Sequence, residues 1–304
     1  MKEYKRSLFM RESFIKIIAK MMGGYITRLA YIAPGKAAEK VFSLFSTPRR
    51  GKIGSHHTDF LDPARSERLS FKNMELQVYF WPGNKETVLL VHGWESNTHR
   101  YKMLIQELKQ RDYKIIAFDA PGHGYSGGPN LYVPLYDEAM QLIKEKYRPT
   151  YVIGHSIGAM TAIYNQSKHP DNQVQRMVIL GAPDKLEEML APSERLLGLS
   201  RRTIQILDAY FKKHFGFTKK EFSSADLAKT IEIPALIIHD KDDSITPAYG
   251  SEAIHANWEN STLLFTTGLN HSLYDEKVDQ MILKFLKGER IPSEDINVEV
   301  ASTV

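Results

Sequence analysis

The chain has 304 residues, 42% hydrophobic and 25% charged, with a formal charge of +4 and no cysteine. Such a composition suits an ordinary globular protein with one large domain, or one domain plus an insertion. The lack of cysteine excludes disulfides, thiolate metal sites and a cysteine nucleophile, and it fits a reducing compartment, so a cytoplasmic location is the default expectation.

The charge is uneven. Residues 1–50 hold eleven Lys/Arg against three Glu, a balance of +8, which leaves −4 for the other 254 residues. Lys16, Lys20 and Arg28 interrupt the most apolar part of this segment, so neither a membrane span nor the apolar stretch of a signal peptide is expected. Residues 12–46 read as helical, with Glu12, Lys16 and Lys20 on one face and Phe14, Ile17, Ile18, Met21 and Met22 largely on another. Pro34-Gly35 divides them into two helices. A basic amphipathic helix can lie on an anionic membrane or pack its apolar face on the main domain, and packing is the preferred expectation for this N-terminal basic helical segment (1–50).

After residue 67 short apolar runs alternate with amphipathic ones. Strands are expected at 75–81, 87–91, 113–118, 150–153, 176–180, 235–239 and 262–266, and helices at 100–110, 131–146, 157–168, 248–258 and 274–287. This alternation predicts an α/β fold, a mostly parallel sheet flanked by helices, with ligands bound beyond the carboxyl ends of the strands. About fifty residues separate the strands on either side of 184–232, and they read as short helices at 185–189, 193–197, 203–214 and 224–229. A connection this long is expected to be functional, here a helical cap. The polar tail, 291–304, is expected to be loosely held.

The motif with most chemistry is Gly154-His155-Ser156-Ile157-Gly158, which follows the apolar run Tyr151-Val152-Ile153 and precedes a helix. Small residues two before and two after a serine let a strand turn sharply into a helix with the hydroxyl exposed on the bend. A serine hydroxyl is a weak nucleophile and needs a base, which needs an orienting group. His271 lies on the loop after the last expected strand, in the order required for the base. For the acid, His239-Asp240-Lys241-Asp242-Asp243 offers three aspartates. Asp243 is preferred because it stands clear of the strand, Asp242 can shape the turn through backbone hydrogen bonds, and Asp240 and Asp184 are alternatives. Acyl transfer also needs N–H groups aimed at the developing oxyanion. The amide of Ile157 opens the helix after the serine, and that of Trp94 follows His92-Gly93 at the end of an earlier strand.

Taken together, Val91-His92-Gly93-Trp94, Phe118 to Ser126, the Gly154–Gly158 turn, His239 to Pro247 and Asn270-His271 resemble the α/β-hydrolase superfamily, in its serine esterase and lipase-like branch. The resemblance covers roughly residues 67–288 and implies an α/β-hydrolase fold with a helical cap inserted after its sixth strand and the N-terminal helices as an extra. It implies nucleophile Ser156, acid Asp243, base His271 and oxyanion amides from Trp94 and Ile157, with no cofactor. The stretch from Asp119 to Ser126 matches a structural turn of the family. The sequence departs from the family in carrying Asp240 where glycine is common.

The expected activity is hydrolysis of a small-molecule or acyl-chain ester or thioester through an acyl-enzyme. Acyltransfer, peptidase or perhydrolase chemistry is compatible with the same residues, and the rival class is a non-catalytic ligand-binding protein on this fold. Serine at the turn argues against the dehalogenase and epoxide-hydrolase branches, which use aspartate there. Tyr210, Phe211, Phe215, Phe217 and Phe222 either line an acyl pocket or hold the cap together, and packing is preferred. His56-His57 with Asp59 and Asp62 match no metal-ligand spacing and read as a polar loop. Nucleic acid is not an expected partner, since the excess charge lies in one terminal segment without a reading module. Peripheral membrane contact through that segment is the one macromolecular contact the composition suggests.

Overall fold

The computed structural model describes residues 2–170 and 173–291, with the side chains of residues 14 onward. The tail expected at 291–304 lies outside the described residues beyond Ile291. In chain order the elements are α1 (Lys2–Ile32), α2 (Pro34–Ser46), α3 (Ser55–Leu61), β1 (Arg65–Phe71), β2 (Met74–Trp81), β3 (Thr87–Val91), α4 (Lys102–Gln110), β4 (Lys114–Phe118), α5 (Val133–Tyr147), β5 (Tyr151–His155) and α6 (Ile157–Lys168). There follow β6 (Arg176–Leu180), α7 (Leu186–Leu197), α8 (Arg201–Phe215), α9 (Ser224–Ala228), β7 (Ala235–Asp240), α10 (Tyr249–Asn257), β8 (Ser261–Thr266) and α11 (Glu276–Leu286).

Two compact units are present, one of residues 1–47 and 185–222, the other of residues 48–184 and 223–304. The larger holds an eight-stranded sheet in the order β1-β2-β4-β3-β5-β6-β7-β8. β1–β2 and β2–β4 pair antiparallel, and every pair from β4–β3 onward is parallel. The inner parallel strands, β3 to β7, are buried along nearly their whole length, as in Val88–Val91, Ile115–Phe118 and Ala235–Ile238. Such strands are apolar throughout because helices cover both faces. The fold is therefore the α/β-hydrolase type that the resemblance implies.

β1 was absent from the expected strands. Its sequence, Arg-Ser-Glu-Arg-Leu-Ser-Phe, lies on the sheet edge and is mostly exposed, so its pairing with β2 rests on backbone hydrogen bonds that leave no apolar period. The polar loop expected around His56-His57 is instead α3, and the helices expected at 185–189 and 193–197 are one helix, α7, with Pro192 inside it.

The N-terminal helices and the insertion, treated separately from sequence, form the smaller unit together: α1 packs on α2, α7 and α8, and α2 on α8. The N-terminal helices thus find packing partners in the insertion, which the sequence pattern does not foretell. At Gly23 of α1 an added Cβ would lie 1.7 Å from the Leu197 carbonyl oxygen, so only glycine allows that approach. Phe42 of α2 contacts Tyr210, Phe211 and Phe215 at 5.3–5.8 Å between ring centres, and Phe217 meets Phe215 and Phe222. The aromatic residues of the insertion thus pack against α2 and one another, with Phe211 and Phe222 buried and Tyr210, Phe215 and Phe217 half-buried.

The insertion also ends earlier than expected. α9 packs on α6 and α10 of the sheet unit. Asp184 anchors it, accepting from the Ser223 hydroxyl at 2.6 Å and the Ala225 amide at 2.9 Å. That occupation gives Asp184 a structural role.

Candidate active site

β5 enters the turn at His155 and α6 leaves it at Ile157, with Ser156 between them at φ +54°. A non-glycine residue there carries backbone strain. The flanking glycines explain how the strain is accommodated: a Cβ on Gly158 would lie 2.3 Å from the Val91 carbonyl oxygen, and one on Gly154 2.6 Å from the Ala159 Cα. Helix α6 therefore lies directly against β5 and the end of β3, which points the serine outward from the carboxyl edge of the sheet.

His271 sits in a short 3-10 turn (Asn270–Ser272) after β8. The Ser156 hydroxyl donates to its Nε2 at 2.9 Å, and its Nδ1–H donates to Asp243 Oδ2 at 2.7 Å. The three residues preferred from sequence are thus joined by consecutive hydrogen bonds, although they arise from three separate strand ends. The Asp243 side chain is fully buried and that of His271 is 19% exposed. Burial raises the Asp243 pKa, but bonds from His239, His271 and the Thr246 amide and hydroxyl outweigh it and hold the carboxyl well below the usual carboxylate range.

The other two aspartates brace the same loops. Asp240 is buried and accepts from the Asp242 amide (3.0 Å), the Thr266 hydroxyl (2.6 Å) and the Leu269 amide (2.9 Å). Asp242 accepts from the Gly268 amide at 3.0 Å. Both tie the end of β7 to the loop that carries His271, and neither carboxylate is hydrogen-bonded to the imidazole among the described contacts. The aspartate at the family's usual glycine position is therefore a loop fastener.

On the oxyanion side, a Cβ on Gly93 would lie 3.1 Å from the Ser156 Cβ and 2.9 Å from His155 Nδ1. The bare glycine lets the Gly93–Trp94 peptide sit beside the serine. Ile157 is the first residue of α6, so its N–H has no carbonyl four residues back within the helix. The β3 end is fixed by Tyr101, whose hydroxyl donates to the Val91 carbonyl at 2.8 Å, and by Tyr136, which donates to His92 at 3.0 Å. Asp119 accepts from the Tyr79 hydroxyl and the amides of Thr98 and Tyr125, consistent with a structural turn.

Several positioning residues gave no sequence signal. The His155 Nε2–H donates to the His271 carbonyl at 2.7 Å. His239 Nε2–H donates to the Thr246 carbonyl at 2.8 Å and lies 3.3 Å from Asp243 Oδ2, while its Nδ1 accepts from Ser251 at 2.6 Å. Thr246 Oγ1 donates to Asp243 at 2.7 Å, and Asn270 Oδ1 accepts from the amides of Ser244 and His271. Only the position of His239 at a strand end could have hinted at its part. Among the described residues no group of His, Asp and Glu side chains is arranged to hold a metal ion.

Residues 82–214 match the family model described as serine aminopeptidase, S33, and residues 217–298 the one described as TAP-like protein. An uncharacterized abhydrolase domain-containing protein of Dictyostelium discoideum is 24% identical over 69% of this chain, but the match spans only 28% of that protein. A non-heme haloperoxidase of Rhodococcus erythropolis is 23% identical over 67% of this chain and 93% of its own length. The human serine hydrolase BPHL is 23% identical over 77% and 88%, respectively. Among solved structures, an esterase of Pyrococcus furiosus superposes with a TM-score of 0.59 at 21% identity, covering 80% of this chain and 98% of that one. An esterase of Exiguobacterium antarcticum gives 0.57 at 18% identity, with 70% and 96% covered.

Proposed function

Because the chain belongs to the α/β-hydrolase superfamily, we propose that it is a serine hydrolase that cleaves a carboxylic ester or thioester through an acyl-enzyme on Ser156. The observation that carries this reading is the unbroken relay from the Ser156 hydroxyl through His271 to the buried Asp243 carboxylate. Asp243 accepts the Nδ1 proton of His271 and so leaves the Nε2 lone pair facing the serine. When Ser156 Oγ attacks the acyl carbon, its proton passes to Nε2 and the carbonyl electrons move to oxygen, where the Trp94 and Ile157 amides receive the charge. Collapse of this intermediate breaks the bond to the alkoxide or thiolate, which takes the Nε2 proton as it leaves. Water, deprotonated in turn by His271, attacks the acyl-enzyme and releases the acid and the free serine.

A fluorophosphonate probe tests the nucleophile: it should label the wild-type protein and leave Ser156→Ala unlabelled, with short-chain ester hydrolysis lost in the same variant. Unchanged turnover in Ser156→Ala would overturn the proposal. The aminopeptidase description of the matching family model makes amide cleavage the second reading. A panel of acyl esters, acyl thioesters and aminoacyl anilides of graded size separates the two, since the anilides should turn over only if the second reading holds.

A further inference from the structure

Helix α1 carries two apolar faces. One, with Gly23, Ile26 and Ala30 fully buried, packs on the neighbouring helices of its unit. The other consists of Phe14, Ile17, Ile18, Met21, Tyr25 and Ile32, all exposed, with Phe14 at 63%, Met21 at 70% and Ile32 at 84%. On an α-helix these six positions fall within an arc of about 100° and run along about 27 Å of its length, opposite the packed face. A solvent-facing apolar stripe this long needs an occupant.

The charges around the stripe indicate which. Arg28 interrupts it, Lys20 lies about 60° beyond its edge and Lys16 farther round the helix, and all three are exposed, as are Lys36 and Lys40 of α2. Lys40 Nζ stands 5.6 Å from the Tyr25 ring centre, at the border of the stripe. Long basic side chains can lay their stems on apolar surface while their charged ends reach phosphate. A second copy of the chain on this face would oppose like charges, and lysine is depleted from the cores of protein interfaces. An outward apolar stripe with basic side chains around it suits a position in the plane of a bilayer surface, and among the described residues no helix is long and apolar enough to cross a membrane.

We propose that the outward face of α1 is a peripheral docking surface for an anionic phospholipid bilayer, with Phe14, Ile17, Ile18, Met21 and Tyr25 inserted at the headgroup–acyl boundary and the surrounding basic residues on lipid phosphates. Insertion supplies the apolar part of the affinity, and each basic residue near an anionic surface adds about fivefold to partitioning. Deleting the segment would strip α7 and α8 of their packing partner, so the test uses substitutions on the outward face alone.

The full chain is sedimented with vesicles of phosphatidylcholine and phosphatidylglycerol in equal parts, and with phosphatidylcholine vesicles, at low and at high salt. Binding should occur on the anionic vesicles at low salt, weaken at high salt and be slight on neutral vesicles. Ile17→Ser/Met21→Ser should lower the anionic partition coefficient about tenfold or more with the charge unchanged, and Lys20→Glu/Arg28→Glu should lower it on anionic vesicles alone. Circular dichroism and the thermal midpoint confirm that each variant is folded, independently of any hydrolase assay. No binding to anionic vesicles at low salt, or binding untouched by both double variants, would overturn the proposal. So would a lipid-free dimer in light scattering that Ile17→Ser/Met21→Ser dissolves, which would assign the stripe to a second copy.

Discussion

Replacing Asp243 with asparagine separates three neighbouring aspartates by what they do. Asp243 Oδ2 meets the His271 Nδ1–H at 2.7 Å, the Thr246 hydroxyl at 2.7 Å and His239 Nε2 at 3.3 Å, all at a fully buried side chain. If asparagine turns its NH2 toward His271, Nδ1 must accept, the ring proton moves to Nε2 and no lone pair faces Ser156. If it turns its oxygen instead, the tautomer survives but the imidazolium formed during attack loses a full negative charge beside it. Either arrangement raises the barrier by about 4–5.5 kcal/mol, a fall in kcat of about a thousand- to ten-thousandfold, with KM little changed. Initial rates on a short-chain ester measure this, with Asp240→Asn and Asp242→Asn assayed alongside. Asp240→Asn should instead lower stability by about 2–3 kcal/mol, since its carboxylate holds three donors, while kcat stays within about tenfold. Turnover of Asp243→Asn within about tenfold of wild type, with a thousandfold loss in folded Asp240→Asn, would refute the reasoning.

Three further outcomes are expected. Gly93→Ala puts a Cβ 2.9 Å from His155 Nδ1 and 3.1 Å from the Ser156 Cβ, so the oxyanion loop must withdraw and kcat should fall about a hundredfold; an unchanged rate on a short-chain ester would mean that this loop supplies no donor. His155→Leu removes the donor to the His271 carbonyl and should lower kcat about tenfold at constant KM, with partial rescue by His155→Gln; full activity in the leucine variant would show that the loop is held elsewhere. Burial, then the charges of Glu107 and Asp275, pushes the Asp279 carboxyl up to about 7 in a cavity of about 590 Å³ between α4 and α11. The folded state therefore keeps a proton that the unfolded chain releases near pH 4, so stability falls as pH rises through about 7. Asp279→Asn should be more stable than wild type by about 1–2 kcal/mol above pH 7, after allowance for screening, with the difference vanishing below pH 4. Thermal midpoints from pH 4 to 8 measure it, and a constant offset across that range would rule out the linkage.

Local patterns carried the features that depend on neighbours in sequence. The expected 157–168 helix coincides with α6 because an apolar strand, two glycines and a serine constrain the turn within a few residues. The preference among Asp240, Asp242 and Asp243 could not be sharpened from sequence, since the hydrogen bonds that distinguish them run to Thr266, Gly268, Leu269 and His271, each 26–29 residues away. Edge strand β1 escaped because its exposed residues have no apolar period to reveal it. The fate of α1 escaped for another reason. Its periodicity announced a helix with an apolar face, but the packed face is built on Gly23, Ile26 and Ala30, of which only Ile26 carries a strong hydrophobic signal, while most of the large apolar residues point the other way.

The histidines around the serine bear on the proton transfer proposed for His271. His92 and His123 are buried and driven by that burial to about pKa 4, and His155 is held well below its ordinary value for the same reason. Each acts as an uncharged brace. His92 accepts from the Ala120 amide and donates to the Gly93 carbonyl, and His123 accepts from the Glu95 amide and donates to the Pro121 carbonyl. The requirement for neutrality is strictest at His155, whose ring centre is 4.8 Å from that of His271. A positive charge at that separation would oppose the imidazolium forming on His271 by about 3 kcal/mol at an effective dielectric of about 20, a rate penalty above a hundredfold. A lysine or arginine could supply the same hydrogen bond to the His271 carbonyl, but only a group that donates while uncharged does so without raising that barrier. If His271 is the base, as proposed, burial of His155 removes the one charge state in which its hydrogen bond to the His271 carbonyl would work against that role.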